Sequence, residues 1–363
     1  MSAPMVRSTK LVASALAVLL TVLVSGCASS SPEGGESAAS GDGGLTTISY
    51  IDAGSACLCS YPRLQAEAQG YFAQQGIEID NKTSIFNANQ LIQAVAQGQA
   101  DIALTGGTAP LASAAAGKLV KVVAVLGAPA PEQITLNNQT LEKLAQKGVT
   151  PESPYQEKLA ALKGLKIASA ATGSTTDLLF RQILTLGGLK PDSDVTIQPF
   201  SDAAAGTAAV KQGASDGLAG FPSQTTGPEA DGWGKVFIDI VKDAPEAANI
   251  PYIVVAVNPD FLKNQPDAVT KFLKAMTQAR DDAKDFSQEH SDALHQKFFA
   301  STSDAAWKTG IEAILPVFTG SIVPTQELAD NLIKVYNIGK PDPVSVPFEE
   351  LYDTELVKAL PDA

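Results

Sequence analysis

The sequence contains few of the residues on which most catalytic and metal sites depend. Its 363 residues include only 2 histidines and 3 cysteines. That supply is too small for the commoner zinc sites or for a Ser-His-Asp triad. Charged residues make up 18% of the chain and hydrophobic residues 45%, a balance that excludes disorder over most of its length. We therefore expect a folded protein that is not an enzyme and needs no metal and no other cofactor.

Basic residues are also scarce. The chain has 26 Lys+Arg against 39 Asp+Glu, for a formal net charge of −13, and no basic stripe is present. A nucleic-acid partner would require such a stripe to neutralise phosphates. The charge balance therefore argues against nucleic acid, and we expect a monomer that binds a small molecule.

Long apolar runs are absent except near the N-terminus. Arg7 and Lys10 precede an uncharged, mostly apolar run at 11–26 that ends at Cys27. A run of this length is shorter than the ~20 residues that span a bilayer. Residues 1–26 are therefore predicted to be a secretory signal peptide.

The residues around the predicted cleavage point resemble a known processing signal. Val24-Ser25-Gly26-Cys27 is similar to the lipobox of bacterial lipoproteins. The resemblance implies cleavage before Cys27, lipidation of that cysteine, and an extracytoplasmic protein anchored by lipid to the cell membrane, on its periplasmic side or at the cell surface. An ordinary signal peptide followed by an accidental cysteine is the alternative. Residues 27–44 are rich in Ser, Gly and Ala and have no large apolar residue, so we expect a flexible tether.

From Thr46 onward the chain alternates short β-rich runs with helical patterns, which predicts an α/β protein with mainly parallel sheets. The pattern stops after Val122–Leu126 and restarts at Lys166–Ala168. The predicted organisation is lobe 1 at 45–128, a crossing segment and lobe 2 at 129–250, and a return to lobe 1 with a helical tail at 251–363.

A short motif occurs at the same stage of both halves. Ala94–Asp101 and Ala209–Asp216 agree at Ala, Val, Gln, Gly and Asp. In each, a helix is predicted to end at the glycine and a strand to follow the aspartate. A helix that ends at glycine before an aspartate and a strand is common in α/β proteins. The agreement between the two segments nevertheless favours two lobes related as a pseudo-repeat.

Four stretches in order along the chain carry a family resemblance: Glu67–Glu78, Gln97–Ala103, Leu162–Ile167 and Asn258–Leu262. They are similar to the substrate-binding proteins of ABC importers named for taurine, aliphatic sulfonates and nitrate, a group that includes thiamine-precursor binders. The resemblance implies a type II periplasmic-binding-protein fold, with two lobes closing about a hinge on a buried ligand. It also implies a permease dimer with a cytoplasmic ATPase as partner.

This chain departs from the family pattern in two places. The region Asn137–Glu157 is longer than the family's crossing, and Cys57-Leu-Cys59 in the first cleft loop is not a family signature. The two cysteines could be free thiols, a disulfide or, less favoured, a Cu(I) site.

Ligands of open α/β sheets lie at the C-terminal ends of the strands, which identifies the candidate loops. Thr105–Thr108 and Ala171–Thr176 each precede a helix and offer hydroxyls, free backbone N–H groups and the positive end of a helix dipole. We expect closure to hold an anion between these two helix N-termini. Alternatively, Ser174 only caps its helix, with Asp177 as the acid of a capping box. The predicted ligand-binding residues are Ser55, Tyr61, Arg63, Asn89, Thr105, Gly107, Thr108, Ser174, Thr175, Thr176 and Phe221.

These patterns together predict the solute-binding component of an ABC importer, capturing a small organic anion and delivering it to the permease. A sulfonate, a nitrate-like oxyanion and an aromatic carboxylate are all compatible. One alternative is a receptor for a thiamine-type pyrimidine precursor, whose site would need stacking aromatics and acids. A less favoured alternative is an exported enzyme on the same fold, which would depend on Cys57 or Cys59 as nucleophile.

Overall fold

The alternating runs form two five-stranded sheets in the computed structural model of the protein. The structure describes residues 45–52, 57–84, 88–118, 120–200 and 203–361. The predicted signal peptide, Cys27 and the tether lie outside the described residues, as does Ser55. The two sheets define the two lobes described below.

The sheet of lobe 1 has the strand order β2-β1-β3-β10-β4. The strands β1, β2 and β3 pair in parallel, whereas β10 runs antiparallel to both β3 and β4. β10 is a continuous apolar run that is buried throughout, as expected for a central strand covered on both faces. The strands are β1 Thr46–Asp52, β2 Ile77–Ser84, β3 Ile102–Gly106, β4 Lys121–Gly127 and β10 Ile253–Val257.

The sheet of lobe 2 repeats this arrangement with the order β7-β6-β8-β5-β9. Its antiparallel member is β5, which lies between β8 and β9. Position for position, β6 corresponds to β1, β8 to β3 and β5 to β10. The strands are β5 Gln133–Asn137, β6 Lys166–Ser169, β7 Thr196–Pro199, β8 Gly217–Gly220 and β9 Gly234–Asp239.

Helices cover both sheets and form most of the C-terminal third. Those up to the end of lobe 2 are α1 Tyr61–Ala68, α2 Tyr71–Gln74, α3 Ala88–Ala96, α4 Thr108–Ala115, α5 Asn138–Ala145, α6 Tyr155–Ala161, α7 Thr175–Leu186, α8 Ala203–Lys211, α9 Pro222–Thr225, α10 Gly227–Ala230, α11 Ile240–Asp243 and α12 Pro245–Ala248. After β10 come α13 Pro259–Asn264, α14 Pro266–Lys284, α15 Gln288–Phe298, α16 Asp304–Ile314, α17 Gln326–Tyr336, α18 Phe348–Leu351 and α19 Glu355–Lys358.

The repeated sequence motif makes the same backbone connection in both lobes. The Asp101 N–H donates to the Ser49 carbonyl (2.8 Å), and the Ser49 N–H donates back to the Asp101 carboxylate (2.8 Å). Asp216 and Lys166 form the identical pair of bonds in lobe 2, at 2.7 and 2.8 Å. The aspartate of the motif therefore ties the end of one connection to the first strand of its sheet.

Asparagines complete this connection in each lobe. Asn258 after β10 donates its amide to the Val95 carbonyl (2.8 Å), and Asn137 after β5 donates to the Val210 carbonyl (3.5 Å). Each asparagine also caps the helix that follows it. These equivalent contacts, together with the strand orders, make the lobes a structural pseudo-repeat.

The helical tail contacts both lobes. The helix α14 packs on α1 and α2 of lobe 1, whereas α16 packs on α9 and α10 of lobe 2. Gly310 of α16 lies between the two lobes, since a Cβ there would be in ordinary van der Waals contact, at 3.6 Å, with both Leu58 of lobe 1 and Ser223 of lobe 2. The tail thus bridges the lobes, which the sequence pattern did not indicate. The exact segment boundaries stay a prediction.

Several predicted elements differ from those observed. The apolar spacing over Pro62–Gln75 predicts a single helix, but the structure has two, because Gly70 has a positive φ of 71° and interrupts it. The prolines between the two halves predict an inserted excursion in the crossing segment, and its first part instead supplies β5 to the second sheet. The pattern over Phe348–Leu360 predicts one helix, and the structure has two short ones.

Candidate functional site

A cavity of about 110 Å³ lies in the cleft between the two lobes. Lobe 1 contributes the residues just before α1, the start of α3 and the end of β3, and lobe 2 contributes the loop between β6 and α7 and the residue after β8. The lining residues are Cys59, Ser60, Ala88, Asn89, Leu104, Thr105, Gly106, Ala170, Ala171, Thr172, Gly173, Ser174, Thr175, Thr176, Phe221, Tyr252 and Ile253.

The N-terminus of α7 forms the polar wall of this cavity. The Ser174 hydroxyl accepts a hydrogen bond from the Asp177 N–H (3.2 Å), and the Asp177 carboxylate accepts one from the Gly173 N–H (2.8 Å). The side chain of Ser174 therefore caps α7, as in the alternative interpretation of the sequence. Within the described chain, no acceptor faces the backbone N–H groups of Thr175 and Thr176. These two N–H groups lie at the positive end of the helix dipole and are available to an anion.

Thr108 of lobe 1 and Thr175 of lobe 2 meet across the cleft. Their hydroxyl oxygens are 3.0 Å apart and buried. Gly106 permits this contact, because a Cβ there would lie 2.3 Å from the Thr175 hydroxyl oxygen. The second crossing between the lobes is the segment 240–252, which joins β9 to β10. Gly107 approaches it in the same way, because a Cβ at Gly107 would lie 2.7 Å from the Pro251 carbonyl oxygen. The two predicted loops therefore converge, and the lobes are closed upon each other.

An aromatic pair forms the apolar wall. Phe221 and Tyr252 meet edge to face, with ring centroids 6.0 Å apart. Burial, and then the nearby Glu132, raise the pKa of the Tyr252 hydroxyl well above its usual value. That hydroxyl and the Thr105 hydroxyl have no hydrogen-bond partner among the described residues. Buried groups of this kind need a partner, which a ligand or water in the cleft would supply.

Two predicted ligand residues lie elsewhere. Arg63 is 3% exposed and is held by Asp52 (Nη2 to Oδ2, 2.9 Å) and Glu67 (Nη1 to Oε2, 3.0 Å), so its guanidinium is engaged in an internal ion-pair network. Tyr61 packs in the core of lobe 1, stacked on Phe318 with centroids 5.4 Å apart. Neither residue lines the cavity.

The remaining predicted residues divide as follows. Asn89, Thr105, Ser174, Thr175, Thr176 and Phe221 line the cavity, while Gly107 and Thr108 lie directly behind it. No lysine or arginine is among the lining residues. Any anion held by the described lining would therefore be bound by backbone N–H groups and hydroxyls.

The cysteines of the first cleft loop are joined in a disulfide between Cys57 and Cys59. Of the alternatives drawn from the sequence, the structure thus has the disulfide. In the part of the chain that the structure describes, no cluster of His, Cys, Asp or Glu is arranged to hold a metal ion.

Two residues of this region were missed in the sequence. Glu132 in the first crossing is fully buried, and Tyr252 is the last residue of the second crossing, directly before β10, and lines the cavity. Their position in the chain could have identified them, because both crossings pass the cleft and a polar residue on either crossing is a candidate for the site. Glu132 stands out as an acid in the otherwise uncharged stretch 122–141.

Two solved structures with a similar fold are titled as periplasmic binding proteins. The crystal structure of the periplasmic aliphatic sulphonate binding protein SsuA of Escherichia coli has a TM-score of 0.65 and 17% identity, covering 86% of this chain and 92% of that one. The periplasmic nitrate-binding protein NrtA of Synechocystis PCC 6803 has a TM-score of 0.60 and 18% identity, covering 86% and 88%. By sequence, YtlA of Bacillus subtilis (strain 168) is 22% identical over 252 residues, which are 69% of this chain and 70% of that protein.

The paired sheets, double crossing and interlobe cavity define the two-lobed periplasmic-binding-protein fold, as the resemblance implied. The model of the NMT1/THI5-like family matches residues 60–289, and the chain belongs to this family. None of the helices in the described residues is both long and apolar enough to cross a membrane.

Proposed function

We propose that the protein is the extracytoplasmic solute-binding component of an ABC import system, and that it delivers a small organic anion to a permease dimer with a cytoplasmic ATPase. The observation that carries this proposal is the N-terminus of α7, which presents two free N–H groups and the Thr175 and Thr176 hydroxyls to an interlobe cavity. A helix N-terminus of this kind favours negative charge without a cationic side chain.

The chemistry of the ligand follows from the walls of the cavity. The N–H and hydroxyl groups suit a sulfonate, a nitrate-like oxyanion or a carboxylate, while Phe221, Tyr252 and Leu104 suit a small apolar or aromatic portion. SsuA and NrtA are named for a sulphonate and for nitrate, which places these anions first among the compounds to test.

A second candidate keeps the transport role and changes the ligand to a thiamine-type pyrimidine precursor. The aromatic pair of Phe221 and Tyr252 could flank a ring, and the buried acid Glu132 lies near Tyr252. An exported enzyme gains no support, because the disulfide of Cys57 and Cys59 removes the nucleophile that this alternative needed.

A thermal-shift panel on the mature protein tests the ligand class. The compounds are ethanesulfonate, taurine, nitrate, benzoate and an aminopyrimidine. A ligand at 100 times its Kd adds about 2.7 kcal/mol to the free energy of unfolding, which gives a measurable rise in Tm. Anion-specific shifts support the proposal, a shift with the pyrimidine alone supports the second candidate, and no shift with any compound contradicts both.

We also propose that Cys27 carries the lipid anchor. Cys27→Ser removes the sulfur that the lipid would occupy, so the variant should appear in the soluble extracytoplasmic fraction and lose lipid labelling. The matched control is Ser25→Ala, which keeps the cysteine. Unchanged membrane fractionation of Cys27→Ser would disprove the anchor.

A further inference from the structure

The first crossing between the lobes is the segment 128–132, which joins β4 to β5, and Glu132 is its one acid. It lies between β4 and β5, is 0% exposed, and its backbone carbonyl accepts a hydrogen bond from the Ile240 N–H (3.0 Å). Neither of its carboxyl oxygens forms a hydrogen bond of ordinary geometry with the described residues, although the Thr176 hydroxyl lies close enough to act on its charge. A buried carboxylate without a partner is strongly disfavoured in its ionised form.

The groups that face this carboxyl do not compensate its charge. From α7 come the Thr176 hydroxyl and Asp177, and from the second crossing comes the hydroxyl of Tyr252. Asp177 carries the same sign of charge, and its own cation Arg181 is engaged with it at 3.1 Å. Burial raises the pKa of Glu132 well above its usual range and the charge of Asp177 raises it further, while the Thr176 hydroxyl acts in the opposite direction.

The strand that packs beside Glu132 also brings no free cation. The end of β9 carries Asp239, which accepts a hydrogen bond from Gln133 (3.1 Å) and pairs with Lys242 (3.3 Å). Among the described residues, no lysine, arginine or histidine forms an ion pair with Glu132. The neutral carboxyl is therefore the form that this environment favours.

We propose that Glu132 is a positioning residue that is protonated when the cleft is closed, and that its ionisation weakens anion binding and favours the open form. This inference rests on the proposed function in so far as it concerns a bound anion. The neutral carboxyl donates its O–H to the hydroxyl oxygen of Thr176. The Thr176 O–H is then free to donate to the ligand.

The location of Glu132 gives its charge an effect on the site. Thr176 belongs to the first turn of α7, whose free N–H groups supply the positive end of the helix dipole to the cavity. A negative charge directly behind Thr176 would oppose that dipole and repel an anion. Closure would therefore be accompanied by uptake of one proton from solvent.

The first test needs no ligand and measures stability against pH. An acid with a raised pKa in the folded state stabilises the fold below the ordinary glutamate pKa of about 4.3, and that stability is lost as pH rises toward the raised value. Glu132→Gln cannot ionise and should lack this loss. Its Tm relative to wild type should rise between about pH 5 and about pH 9, by several degrees for a change of a few kcal/mol.

The matched control is Glu152→Gln. Glu152 is exposed and pairs with Lys235 (3.0 Å), and the hydrogen bond from Lys235 lowers its pKa, so its removal should give no such rise. A Tm difference between Glu132→Gln and wild type that is the same at every pH would overturn the proposal. If Glu132→Gln does not fold, infrared spectroscopy of the wild type decides instead. The carbonyl band of a buried protonated carboxyl at neutral pH supports the proposal, and its absence overturns it.

The second test concerns the lobes and the anion. Small-angle scattering of the ligand-free wild type should show a larger radius of gyration at about pH 9 than at about pH 5, while Glu132→Gln should show equal values. Ethanesulfonate or nitrate, whichever shifts the Tm, should lose affinity over the same range in wild type and keep it in Glu132→Gln. Equal pH profiles in the two proteins would overturn the coupling. Because the stability and scattering measurements contain no ligand, failure of the anion panel leaves them as an independent test.

Discussion

The contact between Thr108 and Thr175 gives a prediction that separates lobe closure from ligand binding. Both hydroxyls take part in the interlobe bond of 3.0 Å, but only Thr175 also lines the cavity. Replacing either residue by valine keeps the shape of the side chain and removes the hydroxyl. The two variants therefore lose the same interlobe bond and differ only in their access to a ligand.

The expected losses of ligand affinity in the two variants differ enough to be measured. A neutral hydrogen bond contributes about 1 kcal/mol, so Thr108→Val should weaken ligand binding about 5-fold through loss of closure. A hydrogen bond to a charged group contributes about 1.5–3 kcal/mol, so Thr175→Val should lose a further 10- to 100-fold, roughly. The double variant should match Thr175→Val, because the interlobe bond is already gone.

Titration calorimetry with the anion found in the panel measures these affinities, and thermal unfolding provides the control. Ser174→Ala removes the helix cap and should lower the free energy of unfolding by about 1 kcal/mol with little change in affinity. Equal affinities for Thr108→Val and Thr175→Val would refute the assignment of Thr175 to the ligand and leave it a role in closure alone.

Two further predictions follow from the packing around the cleft. Gly106→Ala would place a Cβ 2.3 Å from the Thr175 hydroxyl oxygen, so scattering should show a larger radius of gyration, whereas Gly227→Ala, with open space around it, should behave as wild type. Equal compaction of both variants would contradict the steric argument. Arg63→Met removes the cation that pairs with the buried Asp52 carboxylate and should cost about 3–5 kcal/mol in urea denaturation with unchanged ligand affinity. Lost affinity at unchanged stability would return Arg63 to the binding site.

The architecture could be predicted from the sequence because most strands and helices have clear local patterns of apolar and turn residues. The strands β1, β3, β4 and β10 are short apolar runs between turn residues, and the helical spacing over Gln326–Tyr336 predicts α17 with its observed bounds. The strand β5 was missed because Gln133–Asn137 is brief and follows Pro129 and Pro131, and only its place between β8 and β9 makes it a strand.

The candidate site was predicted less completely, because its members depend on how loops meet in space. The loops after β3 and β6 were identified by strand-end position and helix-start chemistry, and they do converge. Arg63 was placed at the cleft by its distance along the chain. The buried carboxylate of Asp52, eleven residues before it, instead holds its guanidinium. Which of these residues contact a ligand stays a prediction.

The strand order has a consequence for how the chain folds as it is synthesised. All five strands of lobe 2 lie within one continuous segment, from Gln133 to Asp239. Lobe 1 is different, because β10 inserts between β3 and β4 and emerges only after lobe 2 is complete. Until then β3 and β4 each have an unpaired edge, and closing the long loop that joins β4 to β10 costs chain entropy. We therefore expect lobe 2 to fold before lobe 1, although most of lobe 1 precedes it in the chain. Lobe 1 should therefore be the part that depends more on chaperones.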